Sequence, residues 1–539
     1  MQKRTTLGDT TALRGIRFSI VSEDDNMSPF GPVLSFRGIQ NQKYCVSALL
    51  VQDLNAPAPT TQVAQAHNPT IKRIARIPLI KPRMAVWRLD MQIQQSKTQL
   101  KIDYDLGDVS GSFHVPPLDQ APRIAYTSCN GVSDVKYLNS LADRYAERWS
   151  HLAQTHKQAE YHLLVMGGDQ IYSDELLQTQ GPLNEWYKQF SWNRDDTLWT
   201  DEMEIQADEF FASVYPRYWA RPQILNMLSS VPTLMMWDDH DIIDGWGSYP
   251  QALHESPVHQ GLFRIASYYF RLYQLQVDET ESRPGAITRQ GHTFAFEGLG
   301  GLAIVVPDLR SERAPDIKGR NGQLKQPTQI MSQKSISQMF TWIKSLTASK
   351  PSHLLFISSV PVSFVNLALL EALIGWIPGE IGPEDDFRDH WRHQPHKNER
   401  KQLINGLLDF AKLAKCKVTI VSGDVHVAAA SVIRSANPRH IDNGAEVIHQ
   451  LISTGIVHPP LPVLTIRSLE TITGTREKID TDLTAEMQAI GYDGNCLIAS
   501  RNWLSIEPDK SSDGRNRLWV KWHVEGHDHP ITRLIEPAG

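Results

Sequence analysis

Leu163-Leu164-Val165-Met166-Gly167-Gly168-Asp169-Gln170-Ile171-Tyr172 opens with four apolar residues, turns on two glycines, and delivers a carboxylate and a phenol. A short apolar run ended by a glycine turn is the pattern of a strand buried on both faces. Open α/β sheets place ligand groups just beyond the carboxyl ends of such strands. Three other stretches have the same form: Ala125-Tyr126-Thr127-Ser128-Cys129-Asn130, Leu234-Met235-Met236-Trp237-Asp238-Asp239-His240-Asp241, and Thr419-Ile420-Val421-Ser422-Gly423-Asp424-Val425-His426. Each runs apolar and then stops on residue types that bind metals.

Outward from these four strands, apolar runs at 302–306 and 354–357 alternate with helix candidates at 135–158, 204–228, 259–275, 335–348 and 399–414. Strands alternating with helices imply an α/β core. Before it, β-prone runs at 46–51, 84–89 and 100–104, broken by Pro, Asn and Gly, predict an N-terminal β-sandwich-like domain over residues 1–118. Pro116-Pro117 is a natural linker, since consecutive prolines remove backbone donors. The catalytic core is expected over 119–465. A C-terminal extension, 466–539, carries alternating runs at 518–524 and 531–535 that close on the sheet.

A chain of 539 residues that is 41% hydrophobic has ample material for a large core. Lys plus Arg number 54 and Asp plus Glu 60, a net charge of -6 that gives no broad footprint for nucleic acid or an anionic membrane. The four cysteines (Cys45, Cys129, Cys416, Cys496) form no C-x-x-C pair, so neither a disulfide framework nor a zinc knuckle is expected. With no apolar export segment behind Lys3-Arg4, a cytoplasmic location is the expectation. The apolar stretch 367–378 is too short to span the roughly 30 Å hydrocarbon core and reads as a buried or lid helix.

Asp238, Asp239, Asp241 and Asp244 crowd one short segment around His240, directly after the apolar Met235-Met236-Trp237. Left unpaired near a core they would repel one another, so a positive charge belongs among them. Carboxylates with an imidazole suit divalent or trivalent metals, and a thiolate with a phenolate adds affinity for iron. His390, His393 and His396 invite a metal reading as well, but Pro395 interrupts their helical spacing, and a polar flap over the site explains them equally well.

The order GDQIY, WDDHD, SGDVH resembles that of the PhoD-like alkaline phosphatases, in the calcineurin-like metallophosphoesterase superfamily. Supporting motifs are TSCN, Asp308-Leu309-Arg310, Ser358-Ser359-Val360-Pro361 and the segment 391–400, so the resemblance covers roughly residues 123–454. It implies a four-layer α/β/β/α sandwich holding two or more metal ions, with iron and calcium foremost and manganese or zinc as further candidates. By resemblance, the metal set is Cys129, Asp169, Tyr172, Asp238, Asp239, Asp424 and His426. Cys129, Asp169, Tyr172 and His426 would hold a ferric-type ion, Asp169 and Asp424 would be shared, and Asp239 would serve the neighbouring metal. Asp238 is either a ligand or a carboxylate behind one, and Asp244 is a further candidate. His240 would face the substrate, Asp241 would orient its ring, and Arg310 would grip a phosphate. The implied reaction is hydrolysis of a small-molecule phosphate ester by a metal-activated water. A phosphodiesterase or phospholipase-like metallohydrolase and a catalytically silent binding protein on the same fold are the alternatives.

Overall fold

The computed structural model describes residues 29–77, 83–134, 137–138, 141–189, 194–319, 321–365, 391, 394–460, 462–463, 465–467, 475–491 and 494–539. The expected lid helix at 367–378, His390 and His393 lie outside them.

Two large mixed sheets organise the chain. The first has ten strands in the order Ile531–Ile535, Asn516–Val524, Asn502–Lys510, Ile124–Thr127, Leu163–Gly167, Thr233–Met236, Phe30–Gln40, Lys43–Asp53, Met84–Gln94, Ala66–Ile77. The second has nine, running Phe294–Leu299, Leu302–Val306, His353–Ser358, Lys417–Ser422, Val447–Ile452, Ala428–Ser435, Leu483–Gln488, Arg476–Lys478, with Leu497–Ile498 paired to Ala428–Ser435. Ile124–Thr127, Leu163–Gly167 and Thr233–Met236 are parallel neighbours, as are Leu302–Val306, His353–Ser358, Lys417–Ser422 and Val447–Ile452. Register aligns their carboxyl ends: Thr127 faces Met166, Met236 faces Gly167, and Ser422 faces both Ser358 and Ile452.

Successive side chains of a strand point to opposite faces. Leu355, Ile357 and Val421 accordingly join Phe36 and Val165 of the first sheet in one hydrophobic cluster. Leu354, Phe356, Val418 and Ile420 turn the other way, onto Ile336, Met339, Leu403 and Leu407 of the helices Gln333–Ser345 and Lys397–Ala414. Burial on both faces explains why these strands read as unbroken apolar runs.

The N-terminal strands do not stand apart as a sandwich. Phe30–Gln40 pairs parallel with Thr233–Met236 at Ser35 and Thr233, so this segment extends the sheet that carries the candidate site. Among the described residues of this segment, the small sheet Gln62–Val63, Leu100–Asp105, Ser110–Val115 lies off it. Asn502–Lys510 pairs antiparallel with Ile124–Thr127. The helix expected over 204–228 is two helices, Asp201–Trp219 and Pro222–Ser230, because Pro222 has no N–H to continue the first and starts the second instead.

Candidate metal centre

The loops beyond these aligned strand ends are tied to one another through their backbones. Cys129 N donates to Gly168 O (3.2 Å), Asn130 N to Asp169 O (2.8 Å), Gly423 N to Ser359 O (3.1 Å), and Ile456 N to Ser128 O (3.1 Å). The close approach fixes residue choice at Gly168, which has φ of +116° and where a Cβ would lie 2.9 Å from Asp238 Cβ. Cys129, Asp169, Asp424 and His426 also take left-handed backbone, with φ of 53°, 55°, 76° and 53°. Non-glycine residues pay about 1–3 kcal/mol each for such conformations, which persist where surrounding structure enforces them and cluster at functional sites.

Cys129, Asp169 and Tyr172 are buried together. Cys129 Sγ donates to Asp169 Oδ2 (3.2 Å) and lies 2.8 Å from Thr454 Oγ1. Burial, reinforced by the Asp169 carboxylate, pushes the thiol well above its ordinary range, and Asp424 adds to the effect from nearby. Burial likewise raises Asp169 and Tyr172. Asp169 Oδ1 and Tyr172 Oη are buried without a hydrogen-bond partner among the described residues. Such orphaned groups are costly. They fit a cation, which would replace the proton shared by thiol and carboxylate and engage the two free oxygens.

Asp169, Asp238 and Asp239 have carboxylate oxygens within 4.8 Å of one another, as do the ligand atoms of Asp239, His240 and Asp244, so Asp239 belongs to both groups. Asp238 accepts from Arg310 Nε and from Ser359 Oγ (2.7 Å). Asp239 Oδ2 accepts from Gly245 N (2.9 Å), and its Oδ1 lies 3.3 Å from Arg310 Nη2. Burial alone would raise Asp239; Arg310 and His240 outweigh it and hold the carboxyl below its ordinary range. The Tyr172 ring stacks on His240 at 4.3 Å, and His426 lies against His458, ring centroids 3.4 Å apart. Burial holds both His426 and His458 in the neutral form, His458 at about 3.

The structure thus brings together Cys129, Asp169, Tyr172, Asp238, Asp239, His240, Asp424 and His426. Two expected roles are corrected. Asp241 does not orient His240: it is fully buried and accepts from the backbone N–H of Asp238 (2.9 Å), Gln170 (3.1 Å) and Ile171 (3.3 Å) and from Gln274 Nε2 (2.9 Å). That leaves it joining the 169–172 and 238–241 loops from behind, with burial pushing its carboxyl up to about 7. The ring of His240 is held instead by Asp174, whose Oδ2 lies 2.7 Å from Nδ1 while Oδ1 accepts from Asp244 N (3.1 Å). Burial would lower the His240 pKa; Asp174 and Asp239 more than offset this and raise it well above the ordinary range. Arg310, expected to grip phosphate, is buried to 0% exposure behind Asp238 and Asp239, with Nη1 on Trp246 O (3.1 Å). His396 is buried 3.9 Å from Glu399, off the cluster.

Sequence reasoning missed Asp174, Thr454 and His458. Thr454 and His458 follow the strand Val447–Ile452, and the signal was present: Leu451-Ile452-Ser453-Thr454-Gly455 is another apolar run ending on a glycine turn, with an imidazole three residues on.

Comparison with known proteins finds relatives of this chain. An uncharacterized Saccharomyces cerevisiae protein, YGR266W, is 25% identical over 524 residues, spanning 78% of this chain and 70% of its own. The solved structure of PhoD shares the fold, with a TM-score of 0.51 at 13% identity over 96% of this chain and 94% of that one. The PhoD-related phosphatase profile matches residues 121–378 and 368–476, which include every residue of the cluster, and the chain belongs to that family.

Proposed function

We propose that this protein is a phosphatase that hydrolyses small-molecule phosphate esters with a metal-activated water, on a four-layer α/β/β/α catalytic unit of the calcineurin-like type spanning about residues 119–465. The observation that carries the reading is the pair of ligand groups overlapping at Asp239, beside the unpartnered Asp169 Oδ1 and Tyr172 Oη.

Cys129, Asp169, Tyr172, Asp424 and His426 would hold an iron-type ion, and Asp239 and Asp244 a second, harder one such as calcium, with Asp238 behind them. Bound ions supply an activated water for attack on phosphorus and neutralise the phosphoryl oxygens. The chain's own residues do the rest. Asp174 fixes His240 with its proton on Nδ1, so the protonated ring presents Nε2–H to the leaving oxygen and releases the alcohol as a general acid. Arg310 keeps Asp239 ionised, partly offsets the burial of Asp238 and fixes both in place, so the carboxylates need not reorganise when cations arrive. Asp241 holds the two ligand-bearing loops in register.

Hydrolysis of an aryl phosphate and of a bis-aryl phosphodiester by the purified protein, before and after chelation, tests the proposal. Chelator-sensitive turnover, restored by iron with calcium, is expected. Turnover that ignores chelation, or that iron, calcium, manganese and zinc all fail to elicit, would refute it.

A further inference from the structure

Three histidines outside the candidate centre share one constraint. Tyr161 N donates to His156 Nδ1 (3.0 Å), Arg123 N to His162 Nδ1 (3.0 Å) and Trp503 Nε1 to His151 Nδ1 (3.1 Å). A ring nitrogen that accepts from an N–H carries its lone pair, so geometry holds all three imidazoles neutral. The other nitrogen of His162 fits this tautomer, lying 2.7 Å from Gln99 Oε1, to which it donates. A second proton on any of these rings sets two donors against each other and breaks the bond.

The three bonds lie where one helix meets the first sheet. His151 and His156 belong to the helix Glu147–Gln158, and Trp503 to the strand Asn502–Lys510; Arg123 leads into Ile124–Thr127 and His162 into Leu163–Gly167. The same helix carries Trp149, whose Nε1 donates to Asn130 Oδ1 (2.9 Å), and Asn130 Nδ2 in turn donates to Gln170 O (3.2 Å). Its seating therefore steadies the turns that bear Cys129 and Asp169.

Little around the rings would offset an added charge. The groups facing them are Arg148 on the helix, Arg123 and Glu160 at the strand entries, His114 on the small sheet and His523 on Asn516–Val524, with Lys101, Asp103 and Lys521 beside these last two. Asp103 lies 3.5 Å from Lys101; Glu507 is engaged by Arg123 (3.2 Å) and Lys521 (2.8 Å), and Glu147 and Glu525 by Arg501. That leaves Glu160, alone among the described carboxylates here, to answer three buried rings. Burial sets His156 at about 4 and His162 at about 3, with His114 adding to both, and lowers His151, with Arg148 adding.

We propose that His151, His156 and His162 form an acid-sensitive latch, which on taking up protons releases the helix Glu147–Gln158 from the first sheet and slackens the turns beside the candidate centre. The inference is independent of which ions that centre holds. An unfolded histidine titrates near pH 6.5, so the latch is fully closed above that pH and weakens as pH falls toward about 4. Each histidine that must charge on opening contributes about tenfold per pH unit to the opening equilibrium, up to about a thousandfold per unit for the three together.

Hydrogen exchange of the full chain between about pH 7.5 and about pH 5, expressed as protection relative to an unstructured chain at the same pH, tests the latch. Wild type is compared with His151→Asn, His156→Asn, His162→Asn and the triple variant. Asparagine offers an amide oxygen near the position of Nδ1 and takes no proton. Expected in wild type is a steep loss of protection over 147–162 and 502–510 below about pH 6.5, while Leu302–Val306 and Lys417–Ser422 keep theirs. Each single variant should lower the slope by about tenfold per unit and the triple should abolish it, with the single variants carrying the test if the triple does not fold. Wild-type slopes in all three single variants overturn the proposal and would place the acid response elsewhere, the candidate ligands included. A loss spread evenly over both sheets overturns it as well, since that is global unfolding.

Discussion

Replacing Asp174 with asparagine tests the link between geometry and chemistry most sharply. Asp174 is 5% exposed and its side chain makes two bonds, Oδ2 to His240 Nδ1 (2.7 Å) and Oδ1 from Asp244 N (3.1 Å). Asparagine keeps the second through its carbonyl oxygen and so turns its NH2 toward His240. Two donors cannot face each other, so the ring must give up the proton on Nδ1 and with it the imidazolium form. The loss is one charge-assisted hydrogen bond, about 1.5–3 kcal/mol. At 1.36 kcal/mol per factor of ten, turnover should fall by about 10- to 150-fold. KM and bound metal should hold, because Asp174 belongs to neither ligand group. Steady-state hydrolysis of an aryl phosphate, with metal content measured on the same samples, reads both. Turnover within about twofold of wild type would refute His240 as the acid. A fall in turnover that tracked lost metal would show Asp174 acting on the ligands instead.

Arg310→Met leaves Asp238 and Asp239 without their buried countercharge, so metal-free protein should lose about 3–5 kcal/mol in denaturant unfolding; a loss under about 1 kcal/mol would contradict the role given to this arginine. Gly168→Ala forces a Cβ into a left-handed backbone beside Asp238, costing about 1–3 kcal/mol and weakening metal binding, both measurable by melting with and without metal. An unchanged melting temperature would show that the loops have room to spare. His523 is stacked on Trp503 at 3.7 Å, and burial lowers its pKa to about 3. An unfolded histidine gains its proton near pH 6.5, so this stabilisation is complete above that pH and is lost as pH falls toward 3, by up to about 1.4 kcal/mol per unit. His523→Phe should therefore flatten the decline in unfolding free energy between pH 6.5 and 5; an equally steep decline would place the acid sensitivity elsewhere.

Local sequence carried the site further than the architecture. Runs such as 163–167 and 419–422 are apolar because both faces are covered, and their glycine turns announce where the chain must release a ligand, so four strand ends were legible as one cluster. The N-terminal segment was misassigned because its antiparallel strands look alike in a separate sandwich and on the flank of a larger sheet. The parallel pairing of Ser35 with Thr233, 198 residues apart, decides between them and leaves no local trace. Asp241 was given the role of Asp174 by the resemblance, but the short turn at Asp239–Asp241 points the Asp241 carboxylate back into amide donors. The true partner comes from the neighbouring loop. Arg310 was read as a phosphate grip, and its burial together with its contacts to Asp238 and Asp239 shows that it faces carboxylates instead.

The claim beneath all of this is that cations sit among Cys129, Asp169, Tyr172, Asp239, Asp424 and His426. Anomalous diffraction from crystals of protein loaded with iron and calcium measures it directly. The account predicts an iron peak within about 2.0–2.5 Å of Cys129 Sγ, Asp169 Oδ1 and Tyr172 Oη, with a second ion sharing Asp239. Density holding only water at those oxygens, or iron bound elsewhere on the chain, would contradict it.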